Sequence, residues 1–184
     1  MIILGIDPGS LITGFGVVQV GRGEVKLLAH DVVRNKPGNS MPLRLKTIYA
    51  GLAEVIEEFH PDECAIETAF YGKNAQSALK IGQTRGVAIL AAVLKEIPTS
   101  EYSPREVKKA VTGNGGASKD RVRFMVRSLL KIDSAPKELD ATDAVAVALC
   151  HLHHTGLTNT TKRRGKQTWE RFLKSNPGRI LKNK

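Results

Sequence analysis

Only two of the 184 residues are cysteine, and both Cys64 and Cys150 sit inside apolar runs. Two thiols exclude a disulfide scaffold, and buried, reduced cysteines are expected. Aromatic residues are scarce, with one Trp, three Tyr and five Phe. Long apolar runs are missing as well. Stretches such as Val87 to Leu94 fall well short of the ~20 residues that span a bilayer, so no membrane role is expected. Met1 to Asp7 lacks a basic region and meets an acid at its seventh residue. It does not read as a secretory leader, and a cytoplasmic location is expected. Neither repeats nor low-complexity tracts occur. What remains, 41% hydrophobic and 25% charged, is ordinary for a folded chain, and the length suits one domain.

Charge is present in excess and unevenly placed. The formal net charge is +10. Residues 157–184 hold nine Lys/Arg against the single acid Glu170. Residues 105–131 hold eight bases against two acids. The rest is close to neutral or slightly acidic. A body of low charge with one basic internal segment and one basic tail points to a polyanionic partner. Nucleic acid fits better than a membrane surface, because no strongly amphipathic basic helix is evident.

The apolar pattern gives three strands, a helix, a strand, a helix, a strand and further helices. Ile2–Ile6 is a short buried run ending at the turn signal Asp7-Pro8-Gly9. Gly14–Val20 and Val25–Val33 read as strands of an antiparallel meander around a short Gly21-Arg22-Gly23 link. Met41 to Phe59 repeats apolar residues at helical spacing and stops at His60-Pro61. Glu63–Glu67 is a strand, and the helical crossover before it implies parallel pairing with the first. Residues 75–95 form an Ala-rich helix, Thr99–Tyr102 a small strand, and another helix starts at Pro104. Ser118–Leu130 is a basic helix with Val122, Met125, Val126 and Leu129 facing inward. Leu139–His151 is the last ordered helix, with Val145, Ala148, Leu149 and Leu152 as its apolar stripe. Residues 1–155 are expected to form the domain. Residues 156–184 are expected to be a loose basic tail in which Trp169 and Phe172 can dock a short helix.

Acids stand where this pattern ends its strands. Asp7 closes the first and Glu67 the fourth, and parallel neighbours in an open sheet bring such residues side by side. Asp140 and Asp143, three apart, share one face near a helix N-terminus. Each alone has an ordinary explanation, as a turn residue or a complement to the helix dipole. Glu67 is harder to explain so, because an acid ending a buried strand must be satisfied. Together, four carboxylates from three segments suit hard divalent ions such as Mg²⁺. Two such ions about 4 Å apart can activate water and stabilise the leaving oxygen of a phosphodiester displacement.

These residues carry a resemblance. Asp7-Pro8-Gly9-Ser10, Thr13-Gly14-Phe15-Gly16, Ile66-Glu67-Thr68-Ala69-Phe70, Gly82-Gln83-Thr84-Arg85-Gly86-Val87-Ala88 and Asp140-Ala141-Thr142-Asp143-Ala144 are together similar to the RuvC family of Holliday-junction resolvases. The match runs in order over about residues 1–155. The resemblance implies an α/β, RNase H-like fold, a mixed five-stranded sheet flanked by helices. It also implies a homodimer that nicks a four-way DNA junction symmetrically in recombination and repair, leaving 5′-phosphate and 3′-hydroxyl ends. The family's catalytic acids fall on Asp7, Glu67, Asp140 and Asp143, which would ligate Mg²⁺ (or Mn²⁺), two ions per site. Its junction-core aromatic falls on Phe70, suited to stacking on an unpaired base. Family basic positions near the scissile phosphate fall on Lys108 and Lys119. The helix holding Gly82 to Val87 lies where the family dimerises, and the family works with the RuvA–RuvB branch-migration complex.

Other features count for less. His151, His153 and His154 lack cysteine partners at zinc spacing and are expected to favour a helix C-terminus. Gly113-Asn114-Gly115-Gly116-Ala117-Ser118-Lys119 lacks the register of a nucleotide-binding phosphate loop. A sugar-kinase or chaperone phosphotransferase shares the phosphate-loop run after the first strand, but needs two such domains and a far longer chain. The alternative that stays open is a junction-binding module without nuclease activity, which would have no need of four intact acids.

Overall fold

A computed structural model describes residues 1–21, 24–68, 75–131 and 139–156, with backbone only at Leu139 and Asp140. Five strands and five helices follow one another as β1 (Ile2–Asp7), β2 (Ile12–Gly21), β3 (Glu24–Arg34), α1 (Met41–Phe59), β4 (Glu63–Glu67), α2 (Ala75–Val93), β5 (Thr99–Tyr102), α3 (Pro104–Thr112), α4 (Lys119–Leu130) and α5 (Leu139–His154). The strands form one mixed sheet in the order β3-β2-β1-β4-β5. β1, β2 and β3 make the expected antiparallel meander, and β4 and β5 run parallel to β1.

Strand parity sorts the core into two halves. Leu4, Ile6, Cys64 and Ile66 pack with Ile48, Leu52 and Ile56 of α1 and Ala88 and Ala92 of α2. Ile3 and Ala65 face the opposite way, toward Val107, Val122, Val126 and Val145 of α3, α4 and α5. Every second residue of β1 and β4 therefore points toward α5. Both cysteines are buried and free, and burial pushes each thiol up to about 12.

α5 lies against the sheet because two glycines admit it. Gly5 of β1 pairs with Gly16 of β2. A Cβ on Gly5 would come within 2.2 Å of the Ala144 carbonyl oxygen, and one on Gly16 within 2.9 Å of the Val145 Cα. The helix that the sequence reads as amphipathic is buried almost all round, from Ala141 to Leu152 with Asp143 the exception. It runs to His154 rather than stopping at His151.

Two details differ from the sequence reading. In α4 the buried apolar residues are Val122, Val126 and Leu130, while Leu129 is 52% exposed. A spacing of exactly four keeps 122, 126 and 130 on one narrow stripe, and Leu129 falls beside it. His151 is not a solvated helix-end charge. It is 4% exposed, with Nδ1 2.8 Å from the Tyr102 hydroxyl and Nε2 paired with the Glu63 carboxylate. His153 and His154 do lie exposed in the last turn. The Gly21-Arg22-Gly23 link and the segment 157–184, with Trp169 and Phe172, lie partly or wholly outside the described residues.

Candidate active site

The parity that points Gly5 toward α5 also points Asp7 there, two residues on. In β4 it does the same for Glu67, two residues beyond Ala65. The β1–β4 register runs through Gly5 with Ala65 and Ile6 with Ile66, so Asp7 and Glu67 follow as the next residues on adjacent parallel strands. The turn after Asp7 is fixed from both sides. The Thr13 hydroxyl donates to the Gly9 carbonyl at 2.7 Å, and the Asn35 N–H donates to the Leu11 carbonyl at 2.8 Å. At the end of β4 the Thr68 N–H donates to the Tyr102 carbonyl at 2.8 Å.

The first turns of α5 bring Asp143 over these strand ends. Asp7, Glu67 and Asp143 face one cavity of about 300 Å³, together with Lys108 and Lys119. Pro104 and Val107 of α3, Val122 of α4 and Ala146 of α5 complete its wall. The sequence offered little to mark these four. Of them only Val122 was legible as an inward-facing residue, and nothing in the sequence showed that its face converges on the acids.

Lys119 opens α4 behind the Ser118 N-cap, whose hydroxyl accepts from the Arg121 N–H at 3.3 Å. The preceding loop is held by Gly113 in the left-handed region (φ 78°) and by Asn114 Oδ1, which accepts from the Gly116 N–H at 2.9 Å. It joins two helices, as its lack of phosphate-loop register implied. Lys119 Nζ reaches Asp143 Oδ2 at 3.1 Å.

The electrostatics single out Glu67. Its carboxyl is pushed up to about 8, first by burial and then by the negative charge of Asp7. A hydrogen bond with Asp7 and the charge of Asp143 add to this, and Lys119 opposes it. Carboxylates crowded into a partly dry site repel one another until a proton or a cation intervenes. Among the described residues no group of three or more His, Cys, Asp or Glu forms a ready-made metal cage. The oxygen-only donors and the raised Glu67 nonetheless fit a hard divalent cation. Asp140 lies one turn before Asp143 in α5, and its side chain is outside the described residues, as is Phe70.

A mixed five-stranded sheet flanked by helices, with acids from two adjacent parallel strands and a helix facing one basic-edged cavity, defines an α/β domain of RNase H-like arrangement. The comparisons with known proteins narrow this. The model of the family described as crossover junction endodeoxyribonuclease RuvC matches residues 3–151. The chain belongs to that family. It is 47% identical to the crossover junction endodeoxyribonuclease RuvC of Chlorobium phaeovibrioides, over 98% of this chain and all of the relative. With the protein of the same name from Enterobacter sp. strain 638 it shares 54% identity, over 84% of this chain and 88% of the relative. Among solved structures, Thermus thermophilus RuvC in complex with a Holliday junction substrate superposes with a TM-score of 0.79 at 36% identity. That match covers 84% of this chain and 94% of the other. The yeast mitochondrial Holliday junction resolvase has the same fold, with a TM-score of 0.60 at 13% identity over 85% of this chain and 81% of the other. Among the described residues no helix is long and apolar enough to cross a membrane.

Proposed function

We propose that the chain is a crossover junction endodeoxyribonuclease that resolves four-way DNA junctions by paired symmetric nicks, in the cytoplasm, during recombination and repair. The convergence of Asp7, Glu67 and Asp143 on one cavity is the observation that carries this reading. Family membership carries divalent-metal dependence. Mg²⁺, with Mn²⁺ as substitute and two ions per site, is the choice favoured by oxygen-only donors. Asp7, Glu67, Asp140 and Asp143 would hold the metal. When bound, it supplies an activated water and charge stabilisation at the leaving oxygen.

The chain's own residues do the rest. Lys119, exposed along most of its length, leaves Asp143 for a substrate phosphate without repacking the core. Lys108 sits across the same cavity for a second phosphate contact. Val107, Val122 and Ala146 give the acids an apolar wall, which lowers the local dielectric and strengthens each charge contact. Phe70, three residues past Glu67, would stack on a base at the junction centre.

The paired cuts need two active sites. α2 presents Leu79, Gly86 and Leu90 along one face, and nothing lies within 4 Å of a Cβ placed on Gly82 or Gly86. Leu79 is 65% and Leu90 49% exposed. Such a face suits a homodimer in which two copies of α2 approach closely. Residues 1–155 then form the nuclease domain and 156–184 a basic tail that adds affinity for DNA. Work with the RuvA–RuvB complex follows from family resemblance.

The test is cleavage of an end-labelled synthetic four-way junction, in Mg²⁺ or EDTA, beside a linear duplex of the same sequence. Paired metal-dependent nicks that spare the duplex are expected, and Asp7→Asn is expected to bind the junction without cutting it. Junction binding without cleavage in Mg²⁺ and Mn²⁺ alike would make the chain a binding module instead.

A further inference from the structure

The most exposed aromatic side chain among the described residues is Phe124, at 59%. It lies on α4, whose Val122, Val126 and Leu130 are buried. Arg121, Phe124 and Ser128 share the opposite face and are all exposed. A lone exposed apolar residue needs no explanation. Phe124 is not alone, because the Arg121 guanidinium lies over its ring, 5.6 Å from the centroid. Arg123 instead turns back to Asp120 at 3.3 Å. The pair makes a flat apolar plate with a cation on top.

Its surroundings are one-sided. Residues 105–131, which hold α3 and α4, carry eight bases and two acids. α1, on the other side of the sheet, carries two bases and three acids. The layer bearing the plate also supplies Pro104, Val107, Lys108, Lys119 and Val122 to the cavity wall. From Lys119 to Phe124 is ~7.5 Å along the helix axis. That is about two base-pair steps at ~3.4 Å each.

We infer that the outward face of α4, centred on Arg121 and Phe124, is a second DNA-contact surface that holds a duplex arm of the junction just outside the catalytic cavity. This rests on the junction-cleaving reading above. The Arg121 guanidinium meets a backbone phosphate. The Phe124 ring packs against the apolar sugar and base edges beside it in the minor groove. No base identity is read there, so the surface adds affinity and orientation.

Binding of a fluorescent four-way junction, measured across a salt series with the full chain, tests this. Arg121→Ala should reduce the slope of log K against log salt by about one. Phe124→Ala should weaken binding about fivefold or more at fixed salt while leaving that slope unchanged, with Phe124→Tyr restoring affinity. Both positions are exposed, so thermal midpoints should match the parent. Parental affinity and slope in both variants, with a parent that cleaves junctions, would overturn this surface and leave the active site standing. A change in oligomeric size on substitution would also overturn it, by making the face a protein interface. A parent that neither binds nor cuts junctions would overturn the underlying reading and this surface with it.

Discussion

Gly5 and Gly16 face each other across β1 and β2, and the backbone of α5 occupies the space their missing side chains leave. This pair sets how deep α5 sits, and α5 carries Asp143 over Asp7 and Glu67. A Cβ at Gly16 would meet Val145 Cγ2 at 2.5 Å and its backbone nitrogen at 2.9 Å. A side chain can rotate away, but helix backbone cannot. Gly16→Ala should therefore destabilise the fold by about 1–3 kcal/mol. Gly5→Ala, aimed at the Ala144 carbonyl oxygen, should cost more. Urea denaturation of the two variants checks both the size and the order.

That relationship shows where sequence reading stops. Strand and helix order, the meander, the parallel β4 and the acids at strand ends all follow from local periodicity and turn residues. Gly16 read only as a residue of the second strand, because what packs on it lies some 130 residues away in α5. His151 was misjudged for the same reason. Its neighbours in sequence suggest a helix end, but its partners Tyr102 and Glu63 come from two other strands. The choice of Leu130 over Leu129 also depends on which side the sheet lies.

Glu67 gives the metal-free protein a specific pH response. Its folded carboxyl sits at about 8, against an ordinary value of 4.5. Between those values the folded state holds a proton that the unfolded chain has released. Stability from this group is thus complete below pH 4.5 and is lost as pH rises through 8. In EDTA, the thermal midpoint should fall across that window, and Glu67→Gln should flatten the fall and exceed the parent near pH 8.5. Added Mg²⁺ should raise the parent's midpoint at that pH and leave the variant nearly unchanged. Identical profiles for parent and variant would remove the crowding argument for a cation at this site.

The Tyr102–His151–Glu63 clamp holds the far end of α5, two turns from Asp143. His151→Phe keeps a planar ring, slightly larger than imidazole, but strips a partner from the Tyr102 hydroxyl and from Glu63. The Tyr102 hydroxyl keeps its hydrogen bond with Ser100, so the loss is that of one net hydrogen bond, about 0.5–1.5 kcal/mol. Glu63 is partly exposed and can turn to water. Chemical denaturation should show a loss in that range. Cleavage well below the midpoint should stay close to parental, because no catalytic group is altered. A large loss of cleavage at full stability would mean instead that the clamp tunes the height of Asp143.

The nine bases of residues 157–184 make the tail's contribution to DNA binding measurable apart from that of the folded domain. Each lysine or arginine that neutralises a phosphate releases condensed counterion, which steepens the fall of affinity with salt by about 0.9 per contact on duplex. Truncation after Gly156 should thus flatten the salt slope of junction binding by several units if most of these bases engage. Affinity should fall most at low salt, and the truncated and full chains should converge as salt rises. Nicks should remain at the same positions, because the acids and Lys119 are all in the retained segment. An unchanged slope would show that the tail touches no DNA, leaving α3 and α4 as the basic surface that binds the junction.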